Sequence, residues 1–213
     1  GSGVAERVRA LADRPGADSV FGATMGRFGH RFQLEPPLTA TELADLEGRI
    51  RVRLPEDYRS FLLEVGRGGA GPYSGHFPLR TVAGRWQWLG PADDVDLDRV
   101  ADAFPHTEAY NPDDDLEPEP QREQFASEAD YEAARQEWCF RADAHYEDPM
   151  LVAGTVPLAH QGCGYFNRLI VSGPRRGEIW SDDRACDRGF NPLGTSFGRW
   201  YLDWLDRAEK AAG

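Results

Sequence analysis

Four groups of side chains in this chain are of types that do chemistry. His160-Gln161-Gly162-Cys163, with Cys186 further on, offers an imidazole and two thiols. A structural zinc site wants four ligands, usually with paired cysteine spacing, and that set is missing. A thiol nucleophile wants a base and an oxyanion donor held at a strained elbow, and nothing places Cys163 and His160 that way. A buried thiol beside a loop histidine is the favoured reading, and no metal or cofactor is expected. Asp182-Asp183 follows an apolar strand pattern and could act as a carboxylate pair in acid–base work or on a divalent cation. A solvated turn carrying two charges is the simpler reading. Gly66, Gly68, Gly69 and Gly71 suggest a phosphate loop. In such loops the glycines precede a helix, so that its N-terminal amides face the anion. Here they follow one, so a helix-to-strand turn is expected, with Gly66 left-handed at the helix end. Trp86 and Trp88 alternate and face one side of a strand; core packing is favoured, and an exposed pair would anchor a partner.

The charge pattern is sharper than any of these. The chain carries a net −12 over 213 residues, which argues against nucleic acid as a ligand. Residues 111–149 alone hold thirteen Asp or Glu and three Arg, a net of −10. The acidity is therefore local. Asp113, Asp114, Asp115, Glu117 and Glu119 crowd its first part, and Glu128 and Glu132 belong to a helix behind it. Acidic loops often serve only solubility. An acidic run backed by a helix, inside the chain rather than at its end, favours recognition of a basic partner.

The elements that must position these groups can be read in order. Val4, Val8 and Leu11 give a short amphipathic helix ending near Pro15. Residues 17–34, with Val20, Phe21, Met25, Phe28 and Phe32, have ambiguous periodicity and read as partly extended. Thr39 with Glu42 forms a capping box ahead of Leu43, Leu46 and Ile50. Pro55, Glu56 and Asp57 suit a helix start, and Tyr58, Phe61, Leu62 and Val65 make one apolar stripe. Alternation over 73–77 predicts a strand, as do 85–89, 151–158, 166–171 and 178–181, the last two as a hairpin. Asp93 to Ala103 reads as a helix. Charge repulsion and proline keep 113–120 irregular. A helix begins after Ser127, and Tyr131, Ala134, Trp138, Ala142 and His145 share a face that should dock on the main body through Trp138. Ser196 caps a last helix with a stripe from Phe197 to Ala208. Tyr58, Phe61, Leu62, Trp200 and Trp204 are expected in the core.

Helices first, clustered strands next and a closing helix make an α+β fold with a mainly antiparallel sheet. Domain organisation is expected to be one domain over 1–213, with the acidic, partly helical stretch at about 111–149 inserted in it. No window reaches the apolar length of a membrane span. Three scattered cysteines do not make a disulfide framework, so a reducing, cytoplasmic setting is expected. No signal peptide is visible; the start, Gly1-Ser2-Gly3, lacks Met and reads as a scar.

Two blocks carry a resemblance. Leu54-Pro55-x-Asp57-Tyr58-x-x-Phe61-Leu62 runs into Gly66-x-Gly68-Gly69-Ala70-Gly71-Pro72-Tyr73. Downstream stand Gly162-Cys163-Gly164, Gly173, Gly177, Trp180 and Ser196-Phe197-x-x-Trp200-Tyr201-x-x-Trp204-Leu205. The chain resembles the SUKH superfamily, which includes the yeast Smi/Knr cell-wall regulators and many bacterial immunity proteins. The resemblance implies a curved sheet wrapped by N-terminal helices and a C-terminal helix, with a concave face open to partners. It also implies no catalytic role for the Asp182 region. The expected function is non-enzymatic neutralisation of a cognate, basic toxin by stoichiometric occlusion, by a monomer or weak dimer that binds neither nucleic acid nor membrane. Asp113, Asp114, Asp115, Glu117, Glu119, Glu128, Glu132, Trp86, Trp88, Asp182 and Asp183 are the candidate partner contacts. The alternatives are a regulatory scaffold of the yeast type, and a small hydrolase using Asp182, Asp183, His160 or Cys163.

Overall fold

The computed structural model describes residues 2–24, 29–90 and 95–213. Met25 and Phe28, and the Asp93 start of the expected helix, lie outside the described residues. Among these residues there are five α-helices and two antiparallel sheets, an α+β fold. The helices are α1 (Ser2–Ala10), α2 (Ala40–Ile50), α3 (Glu56–Glu64), α4 (Glu128–Tyr146) and α5 (Phe197–Ala212). A two-stranded sheet pairs β1 (Leu79–Val82) with β2 (Arg85–Trp88). A four-stranded sheet orders β3 (Thr155–Gly162), β4 (Tyr165–Ile170), β5 (Glu178–Asp182) and β6 (Phe190–Ser196) as a meander.

The stretch around α3 forms as its residues dictate. Thr39 and Glu42 close both bonds of the capping box on α2. Pro55 sits one residue earlier than expected, as the N-cap of α3. Tyr58, Phe61 and Leu62 face inward and meet α5. The His76 ring stacks on both Tyr58 and Phe61, at 5.6 and 5.4 Å between centroids, and Phe197 and Tyr201 close around Phe61 at 5.1 and 4.7 Å. The Trp88 indole N–H donates to the Tyr58 hydroxyl at 2.9 Å, and the Tyr201 hydroxyl donates to the Ala70 carbonyl at 2.7 Å. Buried aromatic polar tips thus find partners, as burial requires. The Asp57 carboxylate accepts the Gly198 N–H at 2.8 Å, so the first turn of α3 caps the positive end of α5.

Several expectations are corrected. Gly66 is not left-handed: α3 ends at Glu64 with Val65 as its C-cap, and Gly66 is required because a Cβ there would lie 2.6 Å from the Glu35 carbonyl oxygen. The left-handed work falls to Gly68 and Gly69, at φ 151 and 105. Residues 72–75 are a turn rather than a strand, with Tyr73 at φ 58. Only His76 and Phe77 extend, bridging to Ala159 and Leu158 at the β3 edge. Val95 to Asp102 forms turns, not a helix. Leu151 and Val152, the start of the expected strand, belong to a 3-10 turn over Pro149–Val152, so β3 starts at Thr155. Strand β6 had no counterpart in the sequence reading.

The sheet divides two cores. Val156, Leu169 and Ile179 face the helices and join the main core, which holds Tyr58, Phe61, Leu62, Trp200, Tyr201 and Trp204. On the opposite, outer face, Phe104, Leu151, Ile170, Trp180 and Phe190 form a second, smaller core.

Candidate functional site

The outer sheet face is where the acidic segment meets the rest of the chain. Strand alternation puts Phe166, Arg168 and Ile170 on this face, and register sets Arg168 opposite Trp180 and Phe166 opposite Asp182. The chain entering the acidic segment is pinned here. His106 stacks between Tyr110 and Phe190 at 4.3 and 5.0 Å, and its Nε2 lies 3.1 Å from the Leu151 carbonyl. Tyr110 and Phe190 exchange both backbone hydrogen bonds. The chain leaving the segment returns through Leu151 and Val152 to the same core.

Between these anchors the acidic run is more ordered than repulsion alone predicts. Pro112–Asp115 makes one 3-10 turn, capped by the Asn111 side chain. The Tyr110 hydroxyl donates to Asp115 at 2.7 Å, and Tyr146 donates to Asp113. Burial first, and then the carboxylate, pushes the Tyr110 phenol up to about 12; Tyr146 moves the same way for the same reasons. The run then folds back along α4. All three arginines of the segment are spent inside it, pairing Arg122 with Glu128, Arg135 with Glu119 and Arg141 with Glu117. Trp138 is corrected by this arrangement. Its indole N–H donates to the Glu117 carbonyl at 2.7 Å, so it fastens the acidic run to α4 rather than α4 to the main body. Left over are Asp114, Glu123, Glu132, Glu137, Asp143 and Glu147, all exposed and with no ion pair or side-chain hydrogen bond among the described residues. Phe140, 75% exposed, stands among them.

A cleft of about 600 Å³ opens where the end of α4 overlies the sheet. Asp182 lies at its floor and is only 2% exposed. Its Oδ2 accepts from Arg168 Nε at 2.8 Å and Arg184 Nη2 at 2.9 Å, and its Oδ1 accepts from Arg184 Nε at 2.8 Å. Burial by itself would raise this carboxyl. The two guanidiniums outweigh burial and hold it below the usual carboxylate range. The remaining Arg184 amine donates to the Tyr146 carbonyl at the end of α4, and the guanidinium lies 4.9 Å from the Phe190 ring centroid. One arginine thus ties the strand, the helix and the outer core together. Sequence reasoning missed both arginines. Arg168 carried a usable signal, as a charge inside an otherwise apolar strand.

The other candidates scatter. Asp183 leaves its neighbour and accepts from the Ser181 hydroxyl at 2.9 Å, so the two carboxylates do not converge. His160 Nε2 accepts the Gly164 N–H at 3.2 Å, and burial lowers its pKa. Cys163 is exposed on the β3–β4 turn. Trp86 and Trp88 are 4% and 6% exposed, with their N–H groups given to Asp45 and Tyr58, so they are core residues and offer a partner no surface. Among the described residues, no three His, Cys, Asp or Glu side chains are grouped to hold a metal, and no helix is long and apolar enough to cross a membrane.

The arrangement can present negative charge on a segment pinned at both ends, and it commits Asp182 to two arginines and His160 Nε2 to the Gly164 N–H. No curated protein and no solved structure matches the chain. The family model of the SMI1 / KNR4 family (SUKH-1) matches it over residues 37–202, a span that runs from ahead of α2 into α5 and takes in most of the main core, the outer core, the cleft and the acidic segment. With more than three quarters of its length inside that match, the chain belongs to the SMI1 / KNR4 (SUKH-1) family.

Proposed function

We propose that this is a non-enzymatic, immunity-type binding protein of the cytoplasm, a single domain with an acidic insertion, that occludes a basic toxin domain. The observation that carries the reading is the disposition of charge. The acidic segment spends its own arginines internally and leaves Asp114, Glu123, Glu132, Glu137, Asp143 and Glu147 exposed, with Glu147 lining the cleft. Both ends of the segment are pinned at the outer sheet face, which would lower the ordering cost of association. Complementary charge would speed encounter with a cationic groove, such as that of a nuclease, and penalise wrong partners. Family membership supports either this reading or a regulatory scaffold of the yeast type; the acidic platform favours the first.

The test is stopped-flow association with the toxin domain encoded beside this gene. Replacing Asp114, Glu132, Glu137 and Asp143 by their amides should slow association and flatten its salt dependence, because steering fades once the Debye length falls to about 8 Å at physiological ionic strength. An unchanged on-rate with an unchanged salt slope would remove the acidic platform from recognition. A neighbouring gene that encodes no toxin would favour the scaffold.

A further inference from the structure

Two thiols at the rim of the cleft have no part in the reading above. Gly162, Cys163 and Gly164 turn the chain from β3 to β4 with three consecutive positive φ values, 108, 52 and 81. This turn touches the loop after β5: a Cβ on Gly164 would lie 2.9 Å from the Ala185 Cβ. Cys163 and Cys186 are the next residues outward on each side of that contact. Tyr165 lies beside both. Its phenol pKa is raised, chiefly by Cys186, with burial and Cys163 adding to the effect. Arg188 Nε donates to Cys186 Sγ at 3.0 Å and its guanidinium lies 5.7 Å from the Tyr165 ring centroid. Cys163 is exposed and Cys186 half-buried.

We propose that Cys163 and Cys186 are a redox pair that a hydroperoxide converts to a disulfide across the rim of the outer-face cleft. The Cys186 thiol, which donates to the Asp183 carbonyl at 3.3 Å, leaves that bond and gives its proton to solvent, and the thiolate, met by the Arg188 guanidinium, attacks the O–O bond. An S–O bond forms, the O–O bond breaks, and the leaving oxygen takes a proton. The Cys163 thiolate then displaces hydroxide from the Cys186 sulfenic acid, forming S–S and breaking S–O, and the hydroxide is protonated to water. Two thiols lose two electrons and two protons, and the peroxide gains them. A disulfide requires the two Cα atoms within about 7 Å, and the glycines on either side of Cys163 let its turn adjust toward Cys186. Because Gly164, Arg184 and Ala185 line the cleft, the bond would staple two of its walls together.

The experiment needs no partner. The chain is treated with hydrogen peroxide, its remaining thiols are alkylated, and unreduced peptides are mapped by mass. The expected result is a peptide linking Cys163 to Cys186 and reversed by dithiothreitol, with Cys139 alkylated, so that two of the three free thiols are lost together. Cys163→Ser should instead accumulate a sulfenic acid on Cys186 that a dimedone probe traps, and Cys186→Ser should yield neither product. Alkylation of both thiols after treatment, oxidation of Cys163 alone, or a link between two chains would each overturn the proposal. Both residues lie outside the two hydrophobic cores, so these variants should fold.

Discussion

The two faces of the sheet are built by different means. The helical face is closed by an aromatic cluster in which Tyr58, Phe61, His76, Phe197 and Tyr201 contact one another and every hydroxyl is hydrogen-bonded. The outer face has five fully packed residues, and much of its cohesion comes from one charged knot, Arg168–Asp182–Arg184. Dense apolar packing resists any change of volume. A small core joined by ion pairs and single hydrogen bonds opens more easily and leaves its neighbours intact. The fold thus keeps its dense packing on one face and its charged surface on the other.

The largest expected effect tests the first half of that contrast. Phe61→Ala should cost about 3–5 kcal/mol in a denaturation experiment, as deletions of buried aromatics do. A melting temperature that does not move would show that the aromatic cluster is not the main source of stability.

Acid should act next, and chiefly on the helical face. Burial lowers the pKa of His76 and of His30 to about 4, and that of His106 on the outer face downward as well. Between pH about 6.5 and 4 the unfolded chain therefore binds protons that the folded chain refuses. Stability is fully present above that window and falls as pH drops through it, by at most about 1.4 kcal/mol per pH unit for each imidazole. Urea midpoints across this range should show the slope, and His76→Gln should reduce it. An equal slope in the variant would mean that His76 is open to water.

Trp138→Ala sharpens the second half. It removes the bond to the Glu117 carbonyl at a site remote from the main core, so global stability should fall by no more than about 1 kcal/mol. Amide exchange should rise over 113–135 and stay unchanged in α3 and α5. A global loss as large as that of Phe61→Ala would mean that the acidic segment is part of the main cooperative unit.

The smallest effect is expected from neutralising Asp114, Glu132, Glu137 and Asp143. Surface substitutions of this kind usually change stability by less than about 0.5 kcal/mol. A larger gain on neutralisation would reveal self-repulsion strong enough to strain the platform, and the gain should then vanish at high salt.

The sequence by itself determined the five helices that form and most of the main core, although it also suggested a helix from Asp93 to Ala103 where the described residues make turns. Tyr58, Phe61, Leu62, Trp200 and Trp204 are buried because periodicity along one helix already selects the face that must leave water. The caps at Thr39, Ser127 and Ser196 were equally legible, since a cap is a contact between residues three apart. The locality of the acidic charge was visible as composition. Tertiary structure decided whatever depends on residues far apart in the chain. Gly66 is needed because the Glu35 carbonyl crosses it, which no left-handed helix end reveals. For Trp86 and Trp88 core packing was favoured by sequence, and α2 and α3 decided it by supplying Asp45 and Tyr58 as partners. Asp182 reads like its neighbour Asp183, yet it lies buried between two arginines while Asp183 turns away. The side of α4 that docks was misread because its partner is the irregular acidic run, which has no periodicity to announce it. Local periodicity states which residues must be buried; the fold alone states against what.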